Sequence, residues 1–131
     1  MGFPSLTRAT LQQATRKNEL IIETGKQIQK DFAEFGFTIH FSEQADIFYD
    51  ELFHQMKFYV ADLLANNMEQ FMHFLYRIDV SEQQIAMYQN EMPDSHYDEV
   101  ITELIIHREL KKVITRDYFR QQSKQNSNEL T

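Results

Sequence analysis

The stretch that decides the fold is residues 47–78, IFYDELFHQMKFYVADLLANNMEQFMHFLYRI. Leu52, Met56, Tyr59 and Leu63 recur at three- and four-residue spacing, and Val60, Leu64, Met68, Phe71, Leu75 and Ile78 continue the pattern. This is the period of an α-helix, not the two-residue alternation of a half-buried strand. The apolar positions cover more than one face, which suits a helix enclosed on several sides. Asn66-Asn67 offers a break in the middle, so the segment reads as one long helix or two stacked ones.

Downstream, Asp79-Val80-Ser81 closes this segment. Ser81 and Gln84 have the spacing of a capping box, which predicts a short helix over residues 82–90. Met92-Pro93-Asp94-Ser95 reads as a turn, with Asp94 or Ser95 capping a last helix over 96–120. That helix is apolar in two sectors: Tyr97, Ile101 and Leu104 on one side, Ile106, Leu110 and Val113 nearly opposite. Such a helix is either central in a bundle or shared between core and interface.

Upstream, residues 6–35 are helix-compatible throughout. Gly36 is the candidate left-handed C-cap, and Gly25 is a point of weakness or a kink. Phe37-Thr38-Ile39-His40-Phe41 alternates apolar and polar, but there is no second strand for it to pair with. It reads as an extended connector, and Ser42 offers an N-cap to the helix that follows.

The fold expected is therefore all-α, a helical bundle of four to five helices with a short extended connector near 37–41. Residues 1–5 read as a flexible leader, 6–120 as a single helical domain, and 121–131 as a polar tail expected to be disordered. The length of 131 residues suits one domain. Three glycines, two prolines and eleven phenylalanines with no tryptophan fit a helical core built on Phe, Leu, Ile and Met. The absence of cysteine excludes disulfides, thiolate catalysis and cysteine-bound zinc or iron–sulfur centres. No apolar run reaches the length of a signal peptide or a membrane span, so the cytoplasm is the expected location.

The net charge of −7 conceals an asymmetry. Residues 1–30 carry five basic and two acidic side chains, residues 31–107 two and fifteen, and residues 108–131 six and three. The plainer account is that basic ends pack across an acidic middle within one bundle. The last helix is acidic at its start and basic at its end, as the helix dipole favours. The alternatives are an acidic surface that recruits a basic partner or a hydrated cation, and pairing of the basic end of one subunit with the acidic middle of another. Nucleic acid is disfavoured as a partner. Its only candidate footprint is Arg108, Lys111, Lys112, Arg116, Arg120 and Lys124, interrupted by Glu109 and Asp117.

Three carboxylate–histidine pairs share helix faces: Glu51 with His54, Glu69 with His73, and Glu103 with His107. Di-metal bundles use a Glu-x-x-His on each of two helices, and only Glu51–His54 has that spacing. His73 falls on a solvated face, whereas His54 and His107 fall on partly apolar ones. If a divalent metal binds, the candidate ligands are Glu51, His54, Glu103 and His107; a histidine buried for structural reasons is the plainer account. No cofactor is otherwise expected. Ser42, Ser81 and Ser95 are better explained as caps than as nucleophiles, and no Gly-rich phosphate loop exists. The Phe and Met residues between Phe32 and Tyr76 could line a hydrophobic pocket, although a core is the commoner outcome. Arg77, one of two cations in the acidic middle, is expected in an ion pair or a carbonyl clamp.

The strings Leu75-Tyr76-Arg77-Ile78-Asp79-Val80-Ser81-Glu82 and Leu104-Ile105-Ile106-His107-Arg108-Glu109-Leu110 resemble a group of small uncharacterised bacterial all-helical proteins. The resemblance covers roughly residues 40–120. It implies an all-helical fold and a bacterial, cytoplasmic origin, and carries no activity and no functional residue.

The functional expectation is a non-enzymatic, self-associating interaction or scaffold domain, a homodimer joined through its last helix or its aromatic-rich middle one. A metal-binding bundle enzyme using carboxylate and histidine ligands is the first alternative. A nucleic-acid accessory factor is the second. No membrane association is expected.

Overall fold

The computed structural model describes residues 7–14, 18–40, 42 and 47–129. Among them there are six helices and no strand: α1 (Arg8–Ala14), α2 (Asn18–Ala33), α3 (Phe48–Asn66), α4 (Met68–Arg77), α5 (Glu82–Glu91) and α6 (Tyr97–Glu129). The all-α bundle is as expected, with one helix more than the range of four to five. Both α1 and α2 fall in the N-terminal stretch read as one helix; residues 15–17 between them, like the leader 1–5, lie outside the described residues.

The bundle is built around α6. Helices α1, α2, α3 and α5 all pack on it, while α4 packs on α3. From Val100 to Leu110 every residue of α6 except Arg108 is buried. Apart from the exposed Tyr97, the two apolar sectors therefore both face the core. Of the second sector, Leu110 packs with Leu11 and Ala14 of α1, joined by Leu20 and Ile114, while Ile106 joins the larger cluster. The side chains of that sector, Ile106, Leu110 and Val113, are enclosed within the chain. The larger cluster joins α2 to α6 through residues such as Ile28, Phe32, Leu52, Met56, Phe74, Ile101 and Ile105. Within it the ring of Phe74 meets Phe32 and Phe35 edge-on, at centroid distances of 4.8 and 4.9 Å. The Phe-rich segment is thus largely core.

Local chemistry sets the helix ends. Asn67 is the break between α3 and α4. Its N–H bonds the Leu63 carbonyl to finish α3, and its side chain accepts from the Gln70 N–H to begin α4. Ser81 and Gln84 form the expected capping box, both bonds present. The N–H of His96 is taken by the Glu99 carboxylate, so the start of α6 relies on a residue inside the helix; Asp94 and Ser95 stand in the preceding turn. The ends of α2 and α4 are Schellman turns. In the first, Phe37 N–H bonds Phe32 O and Gly36 N–H bonds Ala33 O, with Gly36 at φ +83°. In the second, Val80 N–H bonds Leu75 O and Asp79 N–H bonds Tyr76 O, with Asp79 at φ +64°.

Helix α2 runs without interruption through Gly25, which is a packing site instead of a kink. A Cβ there would lie 2.4 Å from Cζ of Phe48. The connector after α2 has no regular secondary structure over its described residues 37–40, and side chains bond its backbone. Tyr59 donates to Thr38 O at 2.6 Å, Gln29 to Ile39 O at 2.8 Å, and Gln55 bonds both the N–H and the carbonyl of His40. Phe41 lies outside the described residues. Ser42 does not cap α3: its N–H and hydroxyl donate to Glu51, and Ile47 occupies the N-cap without a side-chain bond.

At the other end, α6 continues past Arg120 to Glu129. Residues 121–129 contain no glycine or proline to stop a helix, so the loss of apolar residues did not mark its end. No helix among the described residues is long and apolar enough to cross a membrane.

Candidate functional site

The four candidate metal ligands fall in two unlike settings. Glu51 is committed to Ser42, and its pKa is lowered by those two hydrogen bonds. His54 is exposed, its ring edge-on to Phe53. Glu103 and His107 are buried in the centre of the bundle, His107 only 1% exposed. Among the described residues no three or more histidines and carboxylates are gathered in a metal-binding geometry. His73 is exposed, in keeping with its solvated face. Arg77 forms a forked pair with Glu34 at 3.1 and 3.3 Å, the ion pair anticipated for it.

What surrounds Glu103 and His107 is a polar network that joins four helices. Arg8 of α1 donates to Glu103 through Nε at 3.0 Å and Nη2 at 3.4 Å. His107 Nε2 lies 2.8 Å from Oε1 of Gln12, and Nδ1 lies 2.9 Å from the Tyr88 hydroxyl. An amide oxygen can only accept, so Nε2 carries the proton and Nδ1 accepts from Tyr88. The chain continues from Gln12 to the hydroxyl of Tyr49 on α3. Burial holds the imidazole neutral, its pKa down to about 4, with Arg8 adding to the effect. Burial likewise raises Tyr88, and Tyr49 to about 12, with Glu103 reinforcing both. The network is a chain of neutral donors and acceptors beside one ion pair, and it costs little because every link is made.

A second buried polar group joins α2 to α6. Glu109 is 1% exposed and its Oε1 accepts from Lys112 at 3.3 Å. Asp31, also buried, lies within hydrogen-bonding reach of it and accepts from Gln27 at 3.1 Å. Glu109 Oε2 finds no donor. Burial and the neighbouring Asp31 carboxyl push Glu109 up to about 7, against the pull of Lys112.

Sequence reasoning did not single out Asp31, Glu109, Gln12, Arg8 or Tyr88. A signal was present for Glu109. A helix with two opposite apolar sectors has little face left for water, so its carboxylates must be paired inside.

Three surface features could engage a partner. A cleft of about 330 Å³ opens between α1, α5 and α6, with Leu11, Leu104, Tyr88 and His107 among its lining. A groove of about 360 Å³ runs along α4, α5 and the start of α6. Its lining is apolar and open: Met68, Met72 and Tyr76 lie at four-residue spacing on α4 and all are exposed, Tyr76 at 89%. Tyr97 faces them from α6, its hydroxyl pKa raised by burial and by Glu82. Finally, Arg108, Lys111, Lys112, Thr115 and Arg116 make a basic face on α6 that ends in the exposed ring of Phe119. No protein-family model, curated protein or solved structure matches the chain, so the functional reading rests on this geometry.

Proposed function

We propose that the chain is a non-enzymatic, self-associating interaction domain, in which the groove along α4 and α5 receives the basic end of α6 from a second copy. The observation that carries this reading is the exposed Met68–Met72–Tyr76 stripe beside Tyr97. Open methionine and aromatic side chains form an adaptable surface of the kind that takes a helix face. The charge layout selects the occupant. The groove belongs to the acidic middle, whereas residues 108–131 carry six basic side chains against three acidic ones. Phe119, 59% exposed among those cations, supplies an apolar anchor. Tyr97 and Phe119 stand about 33 Å apart along α6 at 1.5 Å per residue. A two-fold axis that sets two α6 helices antiparallel brings each Phe119 end to the other copy's Tyr97 end, which closes the assembly at two.

The test is the solution mass by light scattering after size exclusion, at low and high salt. A dimer that survives high salt and becomes a monomer on Tyr76→Glu or on Phe119→Glu supports the reading. A monomer at both salts, with the protein at about 100 μM, overturns it.

A further inference from the structure

The cleft between α1, α5 and α6 has a charge opposite to that of the molecule. Arg8, Arg108 and Lys111 line it against a single carboxylate, Glu91, in a chain of net charge −7. Arg8 is engaged by Glu103, with Glu91 nearby at 3.9 Å, and Arg108 by Asp79. A guanidinium has five N–H donors, and these pairs use only some of them. Lys111 has no ion-pair or side-chain hydrogen-bond partner among the described residues and stands one turn from Arg108 on α6, so two like charges are neighbours. An anion between them would relieve that repulsion. Beside the cations the lining includes apolar side chains, together with the buried Tyr88 and His107. Leu11 and Leu104 are almost wholly buried, and Met87, unbranched and exposed, is a lining side chain that can adapt. The volume of about 330 Å³ lies at the small end of ligand sites, roughly 300–1,000 Å³.

We infer that this cleft binds a small organic anion with an apolar body, its carboxylate or phosphate headgroup held by Lys111 and Arg108 and its body laid over Leu11, Leu104 and Met87. The cleft shares no lining residue with the α4–α5 groove, but Arg108 and Lys111 also belong to the basic face of α6, so the parent chain is compared with Tyr76→Glu, which opens the proposed dimer and leaves the cleft untouched.

The test is an amide NMR titration of the full chain with octanoate, octyl phosphate and inorganic phosphate, at fixed ionic strength. Saturable binding of an octyl probe is expected, with shifts centred on Leu11, Met87, Leu104 and Lys111; the tighter of the two probes identifies the headgroup. Lys111→Glu and Met87→Glu, both at positions with solvent access, should each weaken it about tenfold or more, whereas Tyr76→Glu should not change it. No saturable binding of either octyl probe overturns the inference. So does an affinity unmoved by Lys111→Glu and Met87→Glu, or inorganic phosphate binding as tightly as octyl phosphate.

Discussion

Glu109 on α6 and Asp31 on α2 face each other as buried carboxyls, with Lys112 as the cation bonded to Glu109. Glu109 Oε2 lacks a donor unless one proton is shared between the two groups. The folded chain therefore keeps a proton that the unfolded chain gives up. With Glu109 raised from 4.5 to about 7, this contribution is full below pH 4.5 and is lost as the pH rises to 7. Glu109→Gln replaces the shared proton with an amide N–H that can donate to Asp31. At pH 8 its melting temperature should exceed that of the parent chain, and the advantage should vanish near pH 4.5.

His107 acts in the opposite direction. Its pKa is lowered from 6.5 to about 4, so its contribution is full above pH 6.5 and is lost as the pH falls toward 4. At about 1.4 kcal/mol per pKa unit, each group can contribute at most about 3–4 kcal/mol. Between pH 4.5 and 6.5 the two slopes oppose and largely cancel. Thermal melts across this window should be nearly flat for the parent chain with respect to these two groups. Glu109→Gln should show stability falling toward acid, and His107→Gln should show it falling toward neutral pH. Parallel profiles for all three proteins would remove both assignments.

Much of this bundle was legible because its helix boundaries are written locally. Ser81 with Gln84, Asn67 and Gly36 each terminate or start a helix by bonds that span three to five residues. The buried polar groups were harder to read because their partners are far apart in sequence. Arg8 meets Glu103 and Gln12 meets His107 across 95 positions, and periodicity carries no information about such pairs. It also misled at Gly25, where the sequence shows a poor helix former but not the ring that needs the space. The end of α6 was placed too early because apolar pattern reports burial, and a helix can outrun its buried face.

Gly25 gives a prediction in which two effects oppose. Alanine is favoured over glycine within a helix by about 1 kcal/mol. The added Cβ would lie 2.4 Å from Phe48 Cζ and 2.8 Å from Cε1, and that ring is fully buried, so it can give way only by displacing its neighbours. Overpacking of this kind costs about 1–3 kcal/mol. Gly25→Ala should therefore lower the urea midpoint despite its better propensity. Adding Phe48→Leu, which removes the facing ring atoms, should recover part of the loss, so that the pair of changes is less harmful than the sum of the singles.

Asp79 holds the left-handed position that ends α4 and at the same time bonds Arg108 on α6. A left-handed backbone costs an ordinary residue about 1–2 kcal/mol, less for Asp and nothing for Gly. The carboxylate is 78% exposed, so its pair with Arg108 adds at most about 1 kcal/mol. Asp79→Gly exchanges the ion pair for relief of backbone strain and should be close to neutral in denaturant melts. Asp79→Ala loses the pair and keeps the strain, so it should destabilise by about 1–2 kcal/mol. If alanine and glycine are equally harmful, the ion pair and not the backbone conformation dominates at this corner. If alanine is harmless, neither matters and the Schellman turn is held by Val80 packing alone.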